Sequence, residues 1–208
     1  MDNENINRDK MAWAQKVVDD LNNSTDKYVV YRTSRPITDI KHMLTTSVEL
    51  YGDNVAFMQR FEKNEPFKSI TYNEAFDTVN SLGTALVNRG LKGKRIAVIG
   101  ENCYQWATSY LAVICGTGVV VPLDKELGAG ELKQLCIEAE VSAVMFTEKY
   151  AETFKEMKGS GDTSIELLIK LNGHKEFEDM LTWSGLIAEG KSLMDGGDLS
   201  LIHISEPT

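Results

Sequence analysis

Residues 70–124, ITYNEAFDTVNSLGTALVNRGLKGKRIAVIGENCYQWATSYLAVICGTGVVVPLD, constrain this chain more than any other stretch. Helix signals and short β-branched apolar runs take turns here without a break. A capped helix from Thr71 leads to a strand at Arg95–Gly100, a helix over Cys103–Cys115 and a strand at Val119–Pro122. Parallel strands cannot be joined by a tight turn and need a crossover, usually helical. The alternation therefore predicts an α/β layer built on a parallel sheet.

The same reading extends in both directions. Trp13, Val17 and Leu21 recur at helical spacing and predict a helix over Asp9–Leu21, followed by an extended run at Tyr28–Tyr31. The Arg35-Pro36 step forces extended backbone. A second amphipathic helix is expected over Asp39–Tyr51, with Ile40, Met43, Leu44, Val48 and Tyr51 on one face and Gly52 as its stop. Apolar runs at Asn54–Phe61 and Phe67–Ile70 flank a polar link and predict an antiparallel hairpin. Thr71-Tyr72-Asn73-Glu74 spells a capping box, and the stripe Phe76, Val79, Leu82, Gly83, Leu86 marks the buried face of the helix that Gly90 ends. Asn102 is the expected cap of the Cys103 helix, with Trp106 on its core side. Beyond Pro122 the pattern predicts helices at Glu131–Glu140 and Tyr150–Lys158, strands at Ala143–Thr147 and Ile165–Leu171, and a last helix over Phe177–Glu189 stopped by Gly190. The fold class that follows is three-layer α/β, a mostly parallel sheet flanked by helices.

With 42% hydrophobic and 25% charged residues in 208, the composition is that of an ordinary globular protein. The net charge of −9 argues against non-specific binding to nucleic acid. Cys103, Cys115 and Cys136 form no C-x-x-C pair. The latter two read as buried thiols, whereas Cys103 lies at a helix start, a position that lowers a thiol pKa. The polar start MDNENINRDK is no signal peptide, and polar residues interrupt the longest apolar run, so a cytoplasmic protein without a transmembrane segment is expected.

Phosphate-binding loops place clustered backbone N–H groups, often at a helix N-terminus, against the anion. Neither G-x-x-x-x-G-K-[ST] nor G-x-G-x-x-G occurs, and Glu101 after Gly100 puts negative charge where a pyrophosphate would approach. His42 and His174 stand alone, without a partner at metal-ligand spacing, and no G-x-S-x-G supplies an acyl-transferring serine. Asp124, just past a buried strand, lies where open sheets put ligand-facing groups, but is read here as a turn cap.

Thr71-Tyr72-Asn73-Glu74, Gly100-Glu101-Asn102, Trp106 with Ala107 and Ala112, and Val119 to Asp124 together resemble the N-terminal subdomain of AMP-forming acyl-CoA synthetases, the adenylate-forming ligases. The resemblance is clearest over Ile37–Phe146, and Pro122-Leu123-Asp124-Lys125-Glu126-Leu127 is most similar to the long-chain fatty acyl-CoA synthetases. It implies an enzyme that uses ATP, magnesium and coenzyme A to activate a carboxylic acid through an acyl-adenylate. The family's phosphate loop, [ST]-S-G-[ST]-T-G-x-P-K-G, is not spelled in these residues. The resemblance therefore carries no catalytic, cofactor-binding or metal-ligating residue onto this chain, and an inactive N-terminal fragment of a ligase is expected. The alternatives are a non-catalytic α/β binding or interaction module and an oxidoreductase with a degenerate dinucleotide turn.

The expected organisation is an N-terminal helix and arm over residues 1–36, a partial AMP-binding domain over 37–198, and a tail over 199–208. That tail, LSLIHISEPT, can be encoded by CTGTCTCTTATACACATCTCCGAGCCCACG, which resembles a transposase sequencing adapter read in frame. It is set aside as non-native, and His203 with it.

Overall fold

A computed structural model describes residues 15–16, 19, 36–62, 64–173, 175 and 177–197. Backbone proximity divides the chain into two units, Met1–Leu50 and Tyr51–Thr208. Of the expected Asp9–Leu21 helix, Gln15, Lys16 and Asp19 are described and helical, with Gln15 Nε2 donating to Asp19 Oδ1 at 2.9 Å. The rest of that helix, the run Tyr28–Tyr31, Arg35, and the tail 199–208 lie outside the described residues, as does His174. Asp39 opens helix α1 (Ile40–Tyr51) by accepting from the His42 backbone N–H at 2.7 Å. Its expected apolar face holds no buried residue.

The second unit begins with the expected hairpin. Strands β1 (Val55–Gln59) and β2 (Lys68–Thr71) pair antiparallel, with an irregularity between Val55 and Phe57. Thr71 then ends β2 and caps α2 (Tyr72–Asn88). Its Oγ1 accepts from Glu74 N at 3.2 Å, while the Glu74 carboxylate accepts from Thr71 N at 2.7 Å. These two bonds occupy backbone donors that a helix start otherwise leaves unpaired. The hydrogen bond from the Thr71 backbone is also the chief reason that the Glu74 carboxyl sits below its usual range. Thr71→Ala is expected to cost about 1 kcal/mol, read as a lower urea midpoint at unchanged m-value.

A five-stranded parallel sheet follows, made of β3 (Arg95–Ile99), β4 (Val119–Pro122), β5 (Ala143–Phe146), β6 (Leu167–Lys170) and β7 (Leu181–Thr182), in the order β4-β3-β5-β6-β7. The chain steps from β3 outward to β4 and then back across β3 to β5. Because such crossovers are right-handed, this reversal sends successive helices to opposite faces. Helix α3 (Tyr104–Ala112) makes the first crossover and packs with α2. Helices α4 (Ala129–Glu138) and α5 (Ala151–Gly159) make the next two. On their face Ala97, Ile99, Val144, Phe146 and Leu168 meet Leu132, Cys136, Phe154 and Met157 in one buried cluster. The alternate residues Ile96, Val98, Met145 and Ile169 are also buried, so the sheet is covered on both faces, as near-continuous apolar strands require. Pro122, which has no N–H to give, ends β4 on the sheet's edge.

The structure departs from the sequence expectation at α3 and at the last helix. The cap of α3 is Cys103, not Asn102: Cys103 has extended backbone and its Sγ accepts from Trp106 N at 3.4 Å. Trp106 is half-buried and stacks on Tyr110 with ring centroids 5.5 Å apart, so it lies at the rim of the core. The last helix, α6 (Trp183–Asp195), starts six residues later than the sequence pattern suggests, and Phe177–Met180 are not helical. The reason is β7: Leu181 and Thr182 pair with β6, and only then does Thr182 Oγ1 cap α6 by accepting from Gly185 N at 3.1 Å. Gly190 does not stop this helix. It lies inside it, where a Cβ would collide with the Ser81 carbonyl of α2.

Candidate functional site

Open parallel sheets receive ligands outside the carboxyl ends of their strands, at the point where the strand order reverses. Here that point lies between β3 and β5. Gly100 follows β3 with φ 147°, a conformation that L side chains rarely adopt, and a Cβ on it would run into the side chain of Thr147 at the end of β5. The two strand ends thus approach as closely as a glycine allows. Thr147 is buried, and its Oγ1 has no hydrogen-bond partner among the described residues.

Glu101 follows Gly100 in the chain. Its carboxylate accepts from Lys125 Nζ at 2.9 Å and from Lys149 Nζ at 2.7 Å, which brings together the loops after β3, β4 and β5. The buried Tyr150 organises both lysines. Its hydroxyl donates to the Lys125 carbonyl at 2.9 Å, and Lys149 Nζ lies 4.8 Å from the centre of its ring. Asp124, next to Lys125, accepts from Glu126 N at 3.0 Å and is the turn cap that the sequence suggests.

The two ammonium groups lower the Glu101 pKa from 4.5 to about 2. A depressed carboxyl pKa adds stability in full above the unfolded value, and that stability is lost as pH falls through the folded value. Stability is therefore expected to drop between pH 4.5 and about 2, and less so in Glu101→Gln. Thermal midpoints of the two proteins across that window check this, with a small difference expected because the pair is solvent-exposed.

The helix that begins at the switch point is closed to anions by the protein itself. Gln59, on the hairpin, accepts from Tyr104 N at the first turn of α3 and donates to Gln105 Oε1 at 2.8 Å. Cys103 Sγ takes the Trp106 donor. Tyr104 is fixed by its hydroxyl, which donates to Thr78 Oγ1 at 3.0 Å, and by edge-on rings of Phe57, Phe61 and Trp183. A dinucleotide-binding turn leaves these donors for a pyrophosphate; here side chains use them. Burial raises the Cys103 thiol pKa, which overrides the helix-start effect expected from its position. Cys115 and Cys136 are buried free thiols, and burial alone pushes Cys136 up to about 11.

At the end of β6, Lys170 is buried with its ammonium donating to Glu148 Oε2 and the Gly173 carbonyl, each at 3.3 Å. Among the described residues no three His, Cys, Asp or Glu side chains gather into a metal-ligand set. The magnesium implied by the resemblance finds no such ligand set there. His42 takes its place in the first turn of α1, where its Nδ1 accepts from Thr38 N at 3.2 Å. Among the described residues no helix is long and apolar enough to cross a membrane.

A family model for AMP-binding enzymes matches residues 44–198, most of the chain. This chain belongs to the AMP-binding enzyme family. Among curated members, long chain acyl-CoA synthetase 1 of Arabidopsis thaliana is 33% identical over 112 residues, which is 52% of this chain and 17% of that protein. Long chain acyl-CoA synthetase 5 of the same plant is 36% identical over 115 residues, 53% of this chain and 17% of that protein. The chain thus matches about a sixth of the length of these AMP-binding relatives.

Solved AMP-binding structures share the fold. A long-chain-fatty-acid-CoA ligase from Archaeoglobus fulgidus superposes with a TM-score of 0.63 at 17% identity, covering 76% of this chain and 31% of that one. The anthranilate CoA ligase solved with anthranoyl-AMP gives 0.63 at 14% identity, covering 74% and 29%.

Lys125, Lys149 and Gln59 belong to the geometry of this edge, yet no sequence motif singles them out. Glu101 is 24 and 48 residues from its two lysines, and Gln59 is 45 from the backbone it caps. The one local signal was Glu101 itself, a charge beside the turn glycine.

Proposed function

We propose that this chain is part of a longer AMP-forming ligase that activates a long-chain fatty acid and transfers it to coenzyme A. The observation that carries the reading is the local likeness to long chain acyl-CoA synthetases 1 and 5, which covers about half of the chain. In the reaction, a carboxylate oxygen attacks the α-phosphorus of ATP and pyrophosphate leaves with the bonding pair, giving an acyl-adenylate. The coenzyme A thiolate then attacks the acyl carbon and AMP leaves.

Residues 37–198 supply scaffold in this proposal: the sheet and its covering helices hold an edge on which the remaining chain completes the site. No catalytic role falls to a residue of this chain, and the chain alone is proposed to be inactive. Acyl-CoA formation by the longer protein, measured with palmitate, benzoate and acetate, tests the substrate class. Each methylene in an apolar pocket is worth roughly 1–3 kcal/mol, so palmitate should exceed acetate in kcat/KM by on the order of a hundredfold or more. Equal use of acetate would refute the long-chain assignment.

A further inference from the structure

We propose that Glu101 is a displaceable counter-ion: between Lys125 and Lys149 it fills a seat that a phosphate group takes when a phosphorylated ligand binds this chain. Four observations lead there. The seat lies at the reversal of strand order, where three loops converge and open sheets take ligands. The usual phosphate position at this edge, the N-terminus of α3, is closed by Gln59 and Cys103, so the lysine pair is the convergent cationic feature remaining there among the described residues.

Part of the seat also stands without its occupant. Tyr150 holds the Lys125 backbone and lies beneath the Lys149 ammonium, and neither contact passes through Glu101. Finally, the occupant is free to leave. The Glu101 side chain is 52% exposed and follows a glycine, so it turns into water with little desolvation.

The exchange favours phosphate on charge. A phosphate monoester carries about −1.5 to −2 and three strong acceptor oxygens, against one charge and two oxygens for a carboxylate. Two ammonium groups converging on one point match the former better. Glu126 lies beside Lys125 and opposes the incoming anion, while Glu148 is engaged with Lys170 and the Lys175 backbone. Glu101 then acts as an internal competitor that sets a threshold for phosphate affinity and keeps the two lysines from capturing other anions.

The test is calorimetric titration of the 208-residue chain with pyrophosphate, ATP and coenzyme A in separate arms at low ionic strength. Glu101 is held by two exposed ion pairs, so removing the competing carboxylate in Glu101→Gln should tighten binding by roughly two- to thirtyfold. The double variant Lys125→Met, Lys149→Met should lose saturable binding. The arm with the largest gain shows which substrate brings the phosphate. The proposal is overturned by unchanged or weaker binding to Glu101→Gln, by binding that survives the loss of both lysines, or by no saturable binding in any arm. It rests on the ligase reading only for its choice of probes. Failure to make acyl-CoA in the longer protein would sink that reading and leave these titrations untouched.

Discussion

Gly190→Leu is expected to lower the stability of the folded chain by about 3 kcal/mol or more, among the largest single-site effects in the molecule. Helices α2 and α6 approach so closely here that even a methyl group at position 190 would overlap the Ser81 carbonyl. A carbonyl in mid-helix cannot step aside as a flexible side chain can, so α6 must lift off. The hydrogen bonds that Arg89 Nε and Nη2 donate to Glu189 Oε2, at 3.0 and 2.7 Å, would be strained by the same movement. Gly190→Ala separates the causes. Alanine favours a helix over glycine by about 1 kcal/mol, so a net loss with alanine means that the steric term dominates. For a domain of this size each kcal/mol shifts Tm by roughly 2–4 °C, and a fall of about 6–12 °C is expected for the leucine variant. An unchanged Tm would mean that the two helices do not pack this way.

Phe154→Ala should cost about 3–5 kcal/mol. Phe154 projects from α5 onto the sheet, is fully buried, and stacks on Phe146 of β5 with centroids 5.5 Å apart and ring planes at 28°. Truncation leaves a cavity walled by strand residues that cannot move without breaking the β3–β5–β6 ladder. Phe154→Leu keeps most of the volume and should cost about 1 kcal/mol. Denaturant titration of the pair reads the difference directly, and equal losses would place Phe154 outside the core.

Structure set by neighbouring residues is legible in the sequence, and structure set by distant contacts is not. Capping boxes and buried strands are local devices, so Thr71-Tyr72-Asn73-Glu74 and the apolar run at Arg95–Ile99 carry their structure in adjacent letters. Strand β7 does not. Leu181 and Thr182 are a strand only because β6 lies beside them, and no two-residue pattern announces that. Gly190 misleads for a related reason. Glycine commonly follows a helix end, and the demand that placed one inside α6 comes from Ser81, more than 100 residues away. Asn102 is a better cap by composition than Cys103, but the turn at Gly100 sets the backbone so that Cys103 receives the extended cap geometry. The cluster at the switch point escapes sequence reasoning for the same cause. Its charges come from three loops and meet only once β3, β4 and β5 are in register.

This chain is proposed to supply scaffold for an AMP-forming ligase without performing the chemistry alone. ATP-dependent pyrophosphate release with palmitate, measured in parallel for the purified 208-residue chain and for the longer protein, tests it most directly. Release by the longer protein and none by the chain is the expected result; release by the chain alone would contradict it.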